Sequence, residues 1–218
     1  MSTTTRGRAV AVARRARTVR RGDLRSALLA AARRLWQRDG ADGLSARKIA
    51  AAVGVSATAL YLHFRSIDDV LDHLRIEGHQ LLAGYLRPDD PDGPALDQVR
   101  ALGRGYHRFA LEHRGYFDLM FHGPPGRAPH REAVQREMFT LMLVRDVLQR
   151  GLARRELRAD LDLTVATTAV WAQIHGAATL AVAGLTPLTT DGQADAVRDA
   201  VIEAAVAWLS PRVATPRG

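Results

Sequence analysis

The sequence predicts an all-α protein, with an N-terminal three-helix helix-turn-helix domain followed by a larger C-terminal helical bundle. Three observations predict it. Apolar residues recur at helical spacing in most segments beyond residue 22. Two short helices with capping serines and a turn glycine fit residues 45–64, and the run Arg87–Pro88–Asp89–Asp90–Pro91–Asp92–Gly93–Pro94 is one that no helix survives.

The first helix should begin near Asp23 and end near Asp39–Gly40, with Leu24, Leu28, Ala31 and Leu35 on one face. In the next stretch the Ser45 hydroxyl caps a helix whose apolar stripe is Ile49, Ala50 and Val53, and Gly54 stands where a left-handed residue is needed. Ser56 caps a second helix that buries Leu60 and Phe64, and the small Ala50 lets the two helices cross closely. A small residue, a glycine four later and a leucine six after that form the helix-turn-helix pattern. Its second helix has one face free to enter a DNA major groove, carrying Ala57, Thr58, Tyr61 and Leu62. For Tyr61 core packing is an equal reading; for Phe64 it is the better one.

Ser66 caps a fourth helix with Asp68 and Asp69 in its first turn, where carboxylates meet the helix dipole favourably. Its apolar positions Val70, Leu71, Leu74 and Leu81 carry it out of the small domain, so it links the two. Beyond the 87–94 break, helices are expected over Ala95 to about His113, Tyr116 to Phe121, Arg131 to Leu152, Leu161 to Gly184 and Ala194 to Leu209. In the Arg131–Leu152 helix the buried positions should be Val134, Met138, Leu141, Met142 and Leu148.

Between Leu163 and Thr190 there is no Asp, Glu, Lys or Arg. The run has the length of a membrane span. Thr164, Thr167, Thr168, Gln173, His175 and Thr179 interrupt it with groups that need partners, which favours a helix between protein neighbours. Small residues Ala166, Ala169, Ala172, Gly176 and Ala177, with Val197, Val201, Ala204, Ala205 and Trp208 of the last helix, make a four-helix dimer seam.

The 218 residues carry a net charge of +8 and no cysteine, which excludes disulfides, thiolate nucleophiles and cysteine-ligated zinc. Arg6, Arg8, Arg14, Arg15, Arg17, Arg20 and Arg21 all precede the first acidic residue, Asp23, so most of the excess charge lies in the leader. Such an arm is an electrostatic footprint for nucleic acid; a solvated, disordered tail is the equal alternative. Lys48 is the only lysine, so arginine is the chain's default cation and no single arginine reads as chosen for its fork.

The run Ile49–Ala50, Gly54–Val55–Ser56, Leu60–Tyr61 and His63–Phe64–Arg65–Ser66 resembles the DNA-binding domain of the TetR family of bacterial transcriptional regulators, over about residues 23 to 72. The resemblance implies an all-helical homodimer that binds double-stranded operator DNA through residues 23–72 and a small hydrophobic effector through residues 73–210. Residues 1–22 would form a basic arm and residues 211–218 a tail. It also implies that Ser45, Arg47 and Lys48 face the backbone and groove edge. By the same carry-over Ala57, Thr58 and Ala59 lie at base-reading positions, and Tyr61 and His63 at phosphate positions. Where the family places a lysine after Phe64–x–Ser66 this chain has Ile67, which passes that phosphate contact to Arg65. A cytoplasmic, nucleoid-associated protein follows, with no membrane; a transit peptide is the minor alternative for the leader. Trp171, His175 and Gly176 also resemble the Trp–His–Gly signature of one C-terminal subgroup.

Tyr106, Phe109, Phe117, Met120, Phe121, Met138, Phe139 and Met142, with Trp171 and His175, are the candidate ligand-binding residues, since flexible methionines beside aromatic rings suit an adaptable apolar cavity. Position by position, ordinary bundle core is the better reading of them. No Arg, Lys, Asn or Gln lies between Ser56 and Phe64, so guanine readout falls to Arg47. The histidines show no metal-ligand spacing, and no phosphate loop or Ser-His-Asp order is present, so neither enzyme activity nor a cofactor is expected. The rival reading is a non-specific or architectural DNA binder that works through its arm without an effector.

Overall fold

Capping chemistry sets most helix boundaries. The computed structural model describes residues 21–122, 131–184 and 193–211. The arm and tail expectations therefore lie outside the described residues, apart from Arg21, Gly22 and Pro211. Helix α1 is Arg21–Asp39 and runs into a 3-10 turn over Gly40–Gly43. Helix α2 is Ala46–Val53, α3 is Ala57–Tyr61 and α4 is Ile67–Tyr85. The serines before each of these last three accept a backbone N–H: Ser45 from Lys48 at 3.2 Å, Ser56 from Ala59 at 3.3 Å and Ser66 from Asp69 at 3.1 Å. Each such cap is worth about 1 kcal/mol.

Two sequence expectations are corrected at this end of the chain. Helix α3 stops at Tyr61 instead of reaching Phe64, because the chain tightens there: His63 N and Phe64 N both donate to the Leu60 carbonyl, at 2.9 and 3.0 Å. Phe64 is still buried, from that turn rather than from the helix. On α4 the fully buried apolar residue near the C-terminal end is Leu82, with Leu81 half-buried beside it.

The C-terminal part consists of α5 (Ala95–Glu112), α6 (Arg114–Phe121), α7 (Arg131–Ala153), α8 (Leu163–Val182) and α9 (Ala194–Leu209). The expected bounds hold to within two residues throughout. Pro94 has no side chain to cap α5, and the carboxylate of Glu156 takes its place by accepting Ala95 N–H at 2.6 Å. Helices α5, α8 and α9 pack on one another, α7 closes against α4, α5 and α8, and α4 lies against α1, α5, α6 and α7. Val99, Leu102, Phe109, Phe117, Leu148, Val170 and Ile202 fill the resulting core. Met138, expected inside, is half exposed on α7, while Val147 is buried beside Leu148. Helix α4 runs without a break through the expected domain boundary at residue 72, so one rigid rod serves both parts.

Helix α8 is long and apolar enough to cross a membrane by length and composition, yet it packs against α5, α7 and α9. Its seam residues divide in two. Ala166 and Ala205 of α9 face into the protomer and are buried, because they sit where α5, α8 and α9 meet. The outer face instead carries Val165, Ala172 and Leu180, with Val197, Ala204 and Trp208 of α9 exposed alongside.

Candidate nucleic-acid interface and effector cavity

The turn between α2 and α3 is closed by Gly54, whose φ of 79° is left-handed, with Gly54 N donating to Ala51 O and Val55 N to Ala50 O. Ile49, Ala50 and Leu60 bury the contact between the two helices. What remains outside is Arg47, Lys48, Thr58, Tyr61, Leu62 and Arg65, all exposed, with Ser45, Ala57, Ala59 and His63 half-buried between them. Leu62, 70% exposed, and Tyr61, 53% exposed, are large apolar groups left in water. That exposure removes core packing as the role of Tyr61. All ten sequence-selected residues thus keep contact with solvent, six of them exposed and four half-buried.

The second site lies in the bundle. Leu82 and Leu86 of the α4 end, Val99, Leu102 and Tyr106 of α5, Phe121 of α6, Met138, Thr140, Leu141 and Val144 of α7, and Val170, Trp171 and Ile174 of α8 line a cavity of about 170 Å³. Of the ten candidates, Tyr106, Phe121, Met138 and Trp171 line it. Phe109 and Phe117 are fully buried in solid core and do not line it. Met120 turns its sulfur toward the Gly78 backbone, where an added Cβ would stand 2.6 Å away. Phe139 is 53% exposed and points away from the cavity, and Met142 is half-buried outside its wall. His175 stands one layer behind: its Nδ1 is 2.8 Å from Tyr106 Oη, and its ring stacks on Trp171 at 4.9 Å. Desolvation, with the His122 charge nearby, holds the His175 pKa below its ordinary value. On the opposite wall His79 Nδ1 is 3.4 Å from Thr140 Oγ1, and burial pushes its pKa down to about 4.

The aliphatic liners escaped selection. Leu82, Leu86, Val144, Val170 and Ile174 look in sequence like any core position, and only the register of five helices leaves a gap between them.

Helix α6 joins the two sites physically. Phe121 at its C-terminal end lines the cavity, while the Gly115 carbonyl near its N-terminal end accepts the Trp36 indole N–H of α1 at 2.6 Å. Between them, the Leu119 carbonyl accepts from Arg75 Nε at 3.2 Å, and Arg75 is itself paired with Asp72 at 2.7 Å, both buried on α4. Among the described residues no group of three or more histidine or carboxylate side chains gathers to hold a metal.

A helix-turn-helix head joined by one long helix to a bundle with an apolar cavity defines a two-part, all-helical DNA-binding protein. Residues 28–74 match the family model described as bacterial regulatory proteins, tetR family, and residues 99–205 match the one described as tetracyclin repressor-like, C-terminal domain. The chain belongs to the TetR family of bacterial transcriptional regulators. The second match spans Trp171, His175 and Gly176. No curated protein matches the sequence.

Among solved structures, a protein with unknown function from Rhodococcus sp. RHA1 superposes with a TM-score of 0.75 at 28% identity, over 86% of this chain and 95% of that one. A bacterial regulatory protein in the tetR family from Rhodococcus RHA1 gives 0.66 at 19%, over 87% and 98%. The transcriptional regulator FadR from Bacillus subtilis, in complex with stearoyl-CoA, gives 0.64 at 17%, over 84% and 98%. At these two lower identities the likeness is one of fold.

Proposed function

We propose that this chain is an effector-released repressor that acts as a homodimer on a near-palindromic operator in the cytoplasm. The helix-turn-helix part, residues 23–72, docks α3 in the major groove; residues 73–210 bind a small hydrophobic effector and pair with a second copy through the outer faces of α8 and α9. Ser45, Arg47, Lys48 and Arg65 meet the phosphates and groove edge with Tyr61 and His63, while Ala57, Thr58, Ala59 and Leu62 lie against bases. Since α3 offers only methyl and apolar surface there, thymine methyls are its natural contacts.

The observation that carries the reading is the shared use of α6. Its Phe121 is cavity wall, and its Gly115 and Leu119 carbonyls grip α1 and α4. A ligand that displaces Phe121 moves the handle by which both helices of the reading head are held. An effector selecting the moved state need supply only about 1–3 kcal/mol of coupling to shift operator affinity from several-fold to a hundredfold. FadR, a protein of this fold in complex with stearoyl-CoA, supports a small molecule as a partner of this chain.

The test is competition for genomic DNA fragments at fixed salt. An operator-specific regulator discriminates its site from random DNA by roughly a thousandfold or more, and footprints show two half-sites related by two-fold symmetry. Binding without preference returns the rival, architectural reading.

A further inference from the structure

Resting on that effector reading, we infer that the cavity selects an uncharged, ring-sized molecule and rejects both organic anions and organic cations. Among the described residues, none of the thirteen that line it carries a charge. An apolar protein cavity of roughly 150 Å³ takes up benzene; the volume here, about 170 Å³, is of that size, and the cavity is partly open. The walls are differentiated. Tyr106, Phe121 and Trp171 form an aromatic end, and Leu82, Leu86, Val99, Leu102, Leu141, Val144, Val170 and Ile174 an aliphatic remainder.

An anion entering this space sheds its hydration and gains no counter-ion. The nearby imidazoles are poor sources of one, because burial lowers the pKa of His79, to about 4, and that of His175. Buried charge without a partner is strongly disfavoured. A cation fares no better. Among the described residues no carboxylate lines the cavity to receive it, and the Trp171 ring, the strongest cation-attracting surface in the wall, has one face already stacked on the His175 ring, 4.9 Å away at 19°. A neutral ring keeps its burial gain and loses nothing of this kind.

Isothermal titration of the full chain at neutral pH with three probes of matched shape decides the matter: para-methylbenzyl alcohol, para-methylbenzylamine and para-methylbenzoate. The alcohol is expected to bind at least about tenfold more tightly than either ion. Leu141→Phe, which fills the space, should weaken the alcohol by a similar factor, with Val144→Leu as the gentler block if the first variant misfolds. An ion that binds as tightly as the alcohol, an alcohol that does not bind, or filled variants that bind it like the parent each overturn the assignment. Alcohol binding that leaves operator DNA bound overturns the release mechanism instead and leaves the assignment of the cavity standing.

Discussion

Trp36 of α1 donates its indole N–H to the backbone carbonyl of Gly115 on α6 at 2.6 Å, a bond that spans 79 residues of sequence and ties the first helix of the reading head to the bundle. Trp36 is otherwise buried among apolar neighbours, so its ring and its N–H hold two different things. Phenylalanine keeps most of the first and none of the second.

The Trp36→Phe variant is therefore expected to lose about 1 kcal/mol of stability, the net worth of one hydrogen bond, in a urea melt. Its DNA affinity without effector should stay within about twofold of the parent, while effector-driven release weakens several-fold, since coupling is what the bond transmits. Release that proceeds as in the parent removes α6 from the pathway.

At Gly54 the φ of 79° sets the angle between α2 and α3, and an added Cβ would meet nothing within 4 Å. The penalty for a side chain is thus conformational alone. Gly54→Ala should cost about 1–2 kcal/mol, and Gly54→Asn less, because asparagine tolerates the left-handed region. Thermal unfolding reads the loss; equal melting of all three proteins contradicts the turn geometry.

His79 gives stability a pH dependence whose direction follows from its burial. Its folded pKa is pushed down to about 4 from an ordinary value of 6.5. Above pH 6.5 both folded and unfolded chains hold it neutral, so it contributes no difference. As pH falls from 6.5 toward 4 the unfolded chain takes up a proton that the folded chain refuses, and folding weakens by about 2 kcal/mol by pH 5. The parent should lose more stability between pH 7 and pH 5 than His79→Gln. Identical losses show that His79 is solvated.

Much of this was legible in the sequence. The three capping serines, the turn glycine and the helix order all follow from local chemistry, and local chemistry is what a sequence displays. The cavity was legible only in part. Phe117 and Phe121 occupy one short helix four residues apart, yet one is solid core and the other is cavity wall. That difference arises from how α4, α5 and α8 meet α6, a long-range matter absent from any local pattern. The same holds for the seam, where Ala166 and Ala172 share a composition and a helix but face opposite ways.

On the outer face of α8, Leu180 is 46% exposed, and Val165, exposed as well, lies about three-quarters of the helix away. If a second copy covers this face, a carboxylate placed there is buried without a partner. Leu180→Asp should sediment as a folded monomer with helical content unchanged, and its operator affinity should fall steeply because two half-sites no longer bind as one unit. A variant that remains dimeric places the seam elsewhere.

Arg47 and Lys48 are adjacent exposed cations at the start of α2, and they separate base reading from phosphate attraction. Helix α3 holds no side chain able to form a two-pronged bond to a base, whereas the guanidinium of Arg47 can meet guanine O6 and N7. Arg47→Ala should therefore cost roughly 1–3 kcal/mol on the operator and relax discrimination at one base pair. Lys48→Ala should weaken specific and random DNA alike and reduce the slope of log affinity against log salt by about one. Fluorescence anisotropy over a salt series with operator and single-base variants distinguishes them. A uniform loss from Arg47→Ala, with discrimination intact, makes it a phosphate contact and leaves sequence choice to the thymine methyls and to DNA shape.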